Sequence, residues 1–280
     1  MAAFLFTKIK IISINQSINQ SKNEHLKYNS DLQKPTIMKT LKLTLVLAIT
    51  VFSFSCVNAQ WNGKKIKGNG KVTTIKRSTS NYDAVKCAGW MDFILVKGTE
   101  GNITIEGEEN LLDYIITEVN GNTLKIKTEN NINLSPSRNK TIKITIPFND
   151  IDEVTLSGSG DVKNMDKIIT NNFESKVSGS GDIILEIDAK NIEAGVTGSG
   201  DLTLIGTTNN LKASVTGSGD FHGFDLEAND VEAKVTGSGD IEIICNGDLK
   251  GRVTGSGDIE YKGNPRKEDT KVTGSGSIGN

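Results

Sequence analysis

Six aspartates recur at nearly even intervals through the second half of the sequence, and each one ends the same short segment, Gly-Ser-Gly-Asp. They are Asp161, Asp182, Asp201, Asp220, Asp240 and Asp258, and Ser277 takes the seventh position. Carboxylates repeated in this way could coordinate calcium, which binds about six to eight oxygen ligands. They could also supply the two carboxyl groups that glycoside-cleaving enzymes use as acid and base.

We call the six aspartates, with Ser277, the aspartate ladder. Calcium binding and backbone hydrogen bonding are two possible roles for it, and calcium binding is the less expected. Calcium-binding repeats rich in glycine and aspartate return about every nine residues, whereas these aspartates are 18 to 21 residues apart. One carboxylate per repeat also leaves most ligand positions to other groups. We expect instead that each aspartate accepts hydrogen bonds from nearby backbone N–H groups or hydroxyls, and we predict no metal site.

A catalytic site is not expected either. Because the aspartates are equivalent in every repeat, they mark a structural position and not one differentiated pair of catalytic carboxylates. Cys87 and Cys245 have only His222 as a histidine partner beyond residue 60, and nothing in the sequence places it near either thiol. We therefore predict no catalytic residues, no cofactor-binding residues and no cofactor, and we expect both thiols to be buried and unpaired. Within the repeats, only Phe221, His222 and Phe224 look unusual.

The residues around each motif indicate β-strands. Apolar or small residues alternate with polar ones before the motif, as in Val231, Ala233 and Val235, and again after it, as in Ile241 and Ile243. A period of two is typical of strands, and a repeat of about 19 residues is typical of a solenoid whose coils share one core. The sequence therefore predicts an all-β fold, a right-handed parallel β-solenoid or β-helix, with the Gly-Ser-Gly-Asp repeats at 154–280.

The segment before the repeats, residues 70–153, contains strand-like runs without a regular period, such as Asp92 to Lys97. A solenoid needs an irregular terminal unit that closes its first coil against water. We therefore predict an irregular, β-rich capping region at 70–153, preceded by a linker at 60–69.

The first 59 residues are expected to lie outside the fold. Residues 38–59 have the features of an export signal, with lysines, a short apolar run and a cleavage site that ends at Ala59. Residues 1–37 are then an upstream extension or a disordered segment. Cys56 is the alternative, as the lipid acceptor of a bacterial lipoprotein. Either way we expect no membrane span in the mature chain and an exported protein, located in the periplasm, outer membrane or cell surface of a Gram-negative bacterium, or secreted.

The charge of the chain bears on its partners. The formal net charge is −2 and 24% of residues are charged, so no basic field attracts polyanions. Nucleic acid is therefore not an expected partner.

Residues 70–280 resemble a family of secreted Bacteroidetes proteins described as autotransporter adhesins with a head GIN domain. The resemblance is carried by Tyr82 to Val85, Asp92 to Leu95 with Gly98, Glu109 to Tyr114, and Leu156 to Val162. It implies a parallel β-helix-like solenoid, and it brings no catalytic or binding residues with it.

These observations favour an exported, non-enzymatic protein of the cell envelope or surface, with an adhesin-like or structural role, because solenoids commonly bind along extended surfaces. The alternative is a β-helix protein that binds or cleaves polysaccharide. The partner is unknown, and we expect a glycan or a protein of the cell surface or extracellular space. The sequence is compatible with an oligomer.

Overall fold

The computed structural model describes residues 63–280, and nearly every element in this range is a β-strand. The predicted export signal at 38–59, the upstream segment 1–37 and Cys56 lie outside the described residues, as does the start of the predicted linker.

The capping region contains nine strands and one short helix, α1 (Glu109–Leu112), when the strand in the predicted linker is counted with it. Its strands are β1 (Lys64–Lys67), β2 (Val72–Ser78), β3 (Ala84–Gly89), β4 (Asp92–Lys97), β5 (Asn102–Glu108), β6 (Ile115–Asn120), β7 (Thr123–Thr128), β8 (Ile132–Ser135) and β9 (Lys143–Phe148). The predicted linker contains β1, which pairs with β8 of the capping region and so belongs to the fold.

The repeats contain the remaining strands. They are β10 (Glu153–Gly158), β11 (Asp161–Asn164), β12 (Ile168–Gly179), β13 (Asp182–Gly198), β14 (Leu202–Gly217), β15 (Phe221–Gly237), β16 (Ile241–Cys245), β17 (Asp248–Gly255), β18 (Ile259–Gly263), β19 (Lys267–Gly274) and β20 (Ile278–Gly279).

Two parallel ladders of strands run along the stack of coils. The first joins the strands that lead into each Gly-Ser-Gly segment, in the order β7, β3, β10, β12, β13, β14, β15, β17, β19. The second joins the strands that leave it, in the order β9, β4, β11, β13, β14, β15, β16, β18, β20. Strands β13, β14 and β15 belong to both ladders because each leaves one segment and leads into the next. The fold is the parallel β-solenoid that the sequence predicted.

The register stacks equivalent residues directly over one another. Gly158 pairs with Gly179, which pairs with Gly198, so each apolar position becomes a column that crosses the coils. One such column is buried through five successive coils, at Val177, Val196, Val215, Val235 and Val253, and ends at the exposed Val272 of the last coil. Burying a side chain of this size contributes about 1.5–3 kcal/mol, so the columns supply a core that no single coil could form. The predicted alternation of inward and outward residues is thus confirmed.

The ladders begin before residue 154. Gly89 pairs with Gly158 and Asp92 pairs with Asp161, so Gly89-Trp90-Met91-Asp92 occupies the place of a Gly-Ser-Gly-Asp segment. The repeat was not recognised there from sequence because tryptophan and methionine replace serine and the second glycine. Asp92 therefore belongs to the aspartate ladder.

The N-terminal end of the stack is closed by antiparallel strands. β5 pairs with both β9 and β2, and β6 pairs with β7, all antiparallel. Leu111 and Leu112 of α1 are buried beneath them. This is the irregular, β-rich capping region that the sequence predicted. Within residues 63–280, no helix has the length and hydropathy needed to cross a bilayer.

Each Gly-Ser-Gly segment forms a corner in which neighbouring backbones nearly touch. Gly179 has φ +131°, and a Cβ there would lie 2.2 Å from the Gly158 carbonyl oxygen. At Gly181 a Cβ would lie 2.0 Å from the Gly160 carbonyl oxygen. The N–H groups of Ser180 and Gly181 both donate to the Gly158 carbonyl, at 2.8 and 3.0 Å. The first position thus requires glycine because of its positive φ and because the neighbouring backbone leaves no room for a Cβ. The second position requires glycine because of the close backbone alone.

Cys87 and Cys245 are both buried and free, as predicted for structural thiols. Burial raises the pKa of each thiol above its ordinary value, which suppresses the reactive thiolate form.

Candidate functional site

From Asp182 onward, the aspartate ladder links each coil to the next through side-chain-to-backbone hydrogen bonds. Oδ1 of Asp182 accepts the backbone N–H of Asp201 at 2.9 Å, and Oδ1 of Asp201 accepts that of Asp220 at 2.9 Å. The same contact joins Asp220 to Asp240 and Asp240 to Asp258, each at 2.7 Å. At the last coil the Asp258 carboxylate accepts both the N–H and the hydroxyl of the next residue in the ladder, Ser277. This is the hydrogen-bond role that the sequence predicted, and it is found for five of the six aspartates. The N–H of Asp182 donates to the Gly160 carbonyl instead of to the Asp161 carboxylate.

The aspartates of the ladder are not equally exposed. Asp161, Asp182, Asp240 and Asp258 are exposed, whereas Asp201 and Asp220 are only half-exposed. Asp92, in the first coil, is half-exposed as well. Among the six aspartates of the repeats, only Asp201 and Asp220 are half-exposed, and both lie next to the irregular residues at 221–224.

The regular pairing of the coils breaks beside His222. Thr203 pairs with His222, but Ile205 pairs with Asp225, so the single residue between them on β14 faces two residues, Gly223 and Phe224, on β15. A bulge of this kind re-aims the side chains next to it. The bulge thus gives the solenoid one locally differentiated coil.

His222 joins two rungs of the aspartate ladder at this break. A ring nitrogen of His222 and carboxylate oxygens of Asp201 and Asp220 all lie within 4.8 Å of one another. Nδ1 of His222 lies 2.9 Å from Oε2 of Glu242, one coil further along. Sequence reasoning marked His222 as irregular but did not connect it with these aspartates, because that link depends on the register between coils.

The charges around His222 favour its protonated form. Burial alone would lower the pKa of the imidazole, but the hydrogen bond to Glu242, with the charges of Glu242, Asp201 and Asp220, outweighs burial and raises that pKa above its ordinary value. Neither thiol shares this environment: Cys87 is buried in β3, and the Cys245 thiol donates to the Asn229 carbonyl at 3.4 Å. The structure therefore offers no pairing of His222 with a cysteine nucleophile among the described residues.

Phe224, one of the two bulge residues, makes a cation–π contact at the surface. Nζ of Lys262 lies 3.5 Å from the centroid of the Phe224 ring. Such contacts contribute about 0.5–1 kcal/mol at exposed sites, so this pair helps to hold the bulged segment against the following coils.

A second candidate site is a groove of about 730 Å³ that crosses several coils on the first ladder of strands. An asparagine ladder lies along it: Nδ2 of Asn191 donates to Oδ1 of Asn172, and Nδ2 of Asn210 donates to Oδ1 of Asn191, both at 2.7 Å. Each amide keeps hydrogen-bonding capacity for another partner. The groove was not predicted, although aligning the repeats would have shown asparagine at the same position in three successive coils.

The groove is acidic and has an apolar floor. Seven carboxylate side chains and two lysines line it. The lysines are paired, Lys212 with Glu193 at 3.5 Å and Lys250 with Glu232 at 2.7 Å. Lys86, Lys176 and Arg266, which lie outside the lining, form ion pairs with five of the seven carboxylates. The floor is formed by nearly buried residues, namely Phe173, Ile192, Leu211 and Val231. Such a surface suits an uncharged or cationic chain that offers many hydroxyl or amide groups.

The sequence matches one protein family over residues 81–265, under the description "Putative auto-transporter adhesin, head GIN domain". No curated protein matches the chain.

Three solved structures of relatives share the fold. A "putative lipid binding protein" from Parabacteroides distasonis is 30% identical, with a TM-score of 0.66, and the match covers 77% of this chain and 99% of that one. A "putative adhesin" from Bacteroides fragilis is 27% identical, with a TM-score of 0.69 and the same two coverages. A second "putative adhesin", also from Parabacteroides distasonis, is 25% identical, with a TM-score of 0.62 and again the same coverages.

Proposed function

The chain belongs to the family of auto-transporter adhesins with a head GIN domain, and from that membership we propose that it is an exported, non-enzymatic surface protein that binds a polysaccharide along its side. The export signal predicted at 38–59 supports the location. Two of the relatives described above are called adhesins, which supports a binding role.

The observation that carries this proposal is the groove with its asparagine ladder. Rungs in a parallel ladder are about 4.8 Å apart, so Asn172, Asn191 and Asn210 present the same amide three times along one line. A polymer lying along the groove would meet equivalent donors and acceptors at each step. Repeated weak contacts of this kind sum to useful avidity.

The charge of the groove indicates which class of polysaccharide it can bind. Seven carboxylates line the groove, against two lysines in the lining and three further cations, Lys86, Lys176 and Arg266, paired with its carboxylates. The remaining negative charge disfavours sulfated or uronic-acid polymers. A neutral or amino-bearing glycan fits this surface, since its hydroxyls can pair with both the amides and the carboxylates.

The hydrogen bonds that the aspartates accept from the backbone support a non-enzymatic role. From Asp182 to Asp258, each ladder aspartate already accepts a backbone N–H from the next coil. A carboxylate that serves the backbone in this way is a structural acceptor and a poor candidate for acid–base chemistry.

A glycan-binding assay with one surface variant tests the proposal. Asn191→Arg should abolish binding of neutral polysaccharides, because the larger cation fills the groove and breaks the amide ladder. Asn209→Arg is the matched control: Asn209 lies on β14 next to Asn210, is exposed, and lines a different depression. Retained binding in Asn209→Arg with loss in Asn191→Arg supports the groove. Equal binding by both variants, or binding of sulfated polymers alone, contradicts it.

A further inference from the structure

The group formed by Asp201, Asp220 and His222 has the donor atoms of a metal site. One ligand atom from each side chain lies within 4.8 Å of the other two, a separation that a single ion can span. All three side chains are half-buried, so part of their hydration is already lost. Nothing in the proposed polysaccharide binding uses this group, which belongs to the second ladder of strands.

The free atoms of these residues are the ones that a metal would need. In Asp201 and Asp220, Oδ1 accepts a backbone N–H of the following coil, which leaves Oδ2 available on each. Nδ1 of His222 is paired with Glu242 at 2.9 Å, so Nε2 is the nitrogen that can coordinate, and a metal that binds there displaces the Nε2 proton to solvent. A histidine whose second nitrogen is held by a carboxylate is the usual arrangement for histidine ligands of metals, because the carboxylate fixes the ring and increases its basicity.

We propose that Asp201, Asp220 and His222 bind a divalent transition-metal ion, with Glu242 as the positioning residue for the imidazole. Two carboxylates and one imidazole suit zinc, manganese or cobalt, whereas calcium prefers oxygen ligands alone. Three protein ligands leave further coordination positions open to solvent.

The proposed site occurs in one place among the described coils. The column of residues that contains His222 is otherwise made of residues without an imidazole, namely Thr145, Ile94, Lys163, Ile184, Thr203, Glu242, Glu260 and Gly279. The aspartate ladder supplies a carboxylate in each coil up to Asp258, but only the coil of His222 adds an imidazole. Asp258, whose strand carries Glu260 in place of a histidine, therefore gives a matched control.

Titration of tag-free protein with Zn²⁺, followed by calorimetry, tests the proposal, and Co²⁺ reports the ligand type by its visible absorption. We expect one saturable Zn²⁺ site. His222→Ala and Asp220→Asn should each weaken it at least about tenfold, and Glu242→Gln about tenfold, the range seen for carboxylates that support ligands. Asp258→Asn should leave the affinity unchanged. The Co²⁺ spectrum of the wild type should change on His222→Ala, because a nitrogen ligand is lost.

Two results would overturn the site. One is the absence of saturable Zn²⁺ binding in the wild type. The other is equal affinity in wild type, His222→Ala and Asp258→Asn, which would mean binding elsewhere on the chain. Circular dichroism of each metal-free variant checks folding, and His222→Gln replaces His222→Ala if the alanine variant is unfolded.

Discussion

The carboxylate of Asp182 accepts the backbone N–H of Asp201 at 2.9 Å, so a side chain of one coil holds the backbone of the next. Asp182→Ala removes this acceptor and leaves the N–H without its partner. We expect the free energy of unfolding to fall by about 1 kcal/mol, because the rung is exposed and water replaces part of the bond. Urea denaturation measures the difference.

Asp182→Asn is the control for this rung. The amide keeps an acceptor oxygen, so its cost should be smaller than that of the alanine variant. Equal stability of wild type and Asp182→Ala would show that the aspartate ladder does not hold the coils together.

Gly181→Ala should be one of the most damaging single-methyl changes in the protein. An alanine Cβ at this position would lie 2.0 Å from the Gly160 carbonyl oxygen. The oxygen is a backbone atom and the Cβ is bonded directly to the backbone, so neither can move away without a shift of the chain. Relief requires the coils to separate, which we expect to cost about 3 kcal/mol or more.

The matched substitution is Gly195→Ala, within β13 of the same stack. The nearest atom there is Cγ of Lys176 at 3.2 Å, on a flexible side chain that can move. We expect a change within about 1 kcal/mol, since alanine in a strand offsets the small clash. If thermal melting shows equal losses for both variants, close approach is not the reason for the second glycine of each motif.

Glu108 should make the capping region sensitive to acid. Its buried carboxylate accepts the N–H and hydroxyl of Ser137, at 2.7 and 2.6 Å, and the N–H of Gly70. Burial would raise the pKa of Glu108, but these hydrogen bonds outweigh it and hold that pKa below its ordinary 4.5. Since the folded pKa is depressed, the stabilisation is complete above pH 4.5 and is lost as pH falls through the lower folded value.

Glu108→Gln tests this pH dependence. The variant should be less stable than wild type at pH 7, and the gap should close as pH falls below 4.5. Glu106→Gln, an exposed position on the same strand, should show no such closing gap. A constant difference between Glu108→Gln and wild type over the whole pH range would contradict the prediction.

The two described thiols should be protected in the native protein. Cys87 and Cys245 have relative exposures of 2% and 0%, and burial raises the pKa of both. We expect slow alkylation in buffer and rapid labelling of both cysteines in denaturant, measured by mass spectrometry. Rapid labelling of Cys245 in the folded protein would show that the coil around β16 opens easily.

The coil architecture was predictable because short stretches of the sequence determine it. Alternation such as Val231, Ala233 and Val235 fixes which side of a strand is buried, and the recurring glycines fix where each coil turns. The first coil was missed since Trp90 and Met91 fill the motif positions, and only pairing of Asp92 with Asp161 reveals it.

The candidate sites were less predictable because they depend on relations between coils. His222 reaches Asp201 only because the coils stack in a register that places Thr203 opposite His222. The groove likewise exists only when Asn172, Asn191 and Asn210 are stacked. A sequence shows each residue once, whereas these sites arise from neighbours about 19 positions apart.

The strict register of the middle coils has a consequence for how the gene can change. Gly179 pairs with Gly198 and Gly198 with Gly217, a constant offset of 19 residues. When the codons for one such coil are lost or duplicated, the coils on either side still stack equivalent residues on one another. The later coils then move along the axis of the solenoid and keep their contacts. Unequal recombination between repeats can therefore lengthen or shorten this protein in whole steps, and related strains are expected to differ in reach while keeping the same cap.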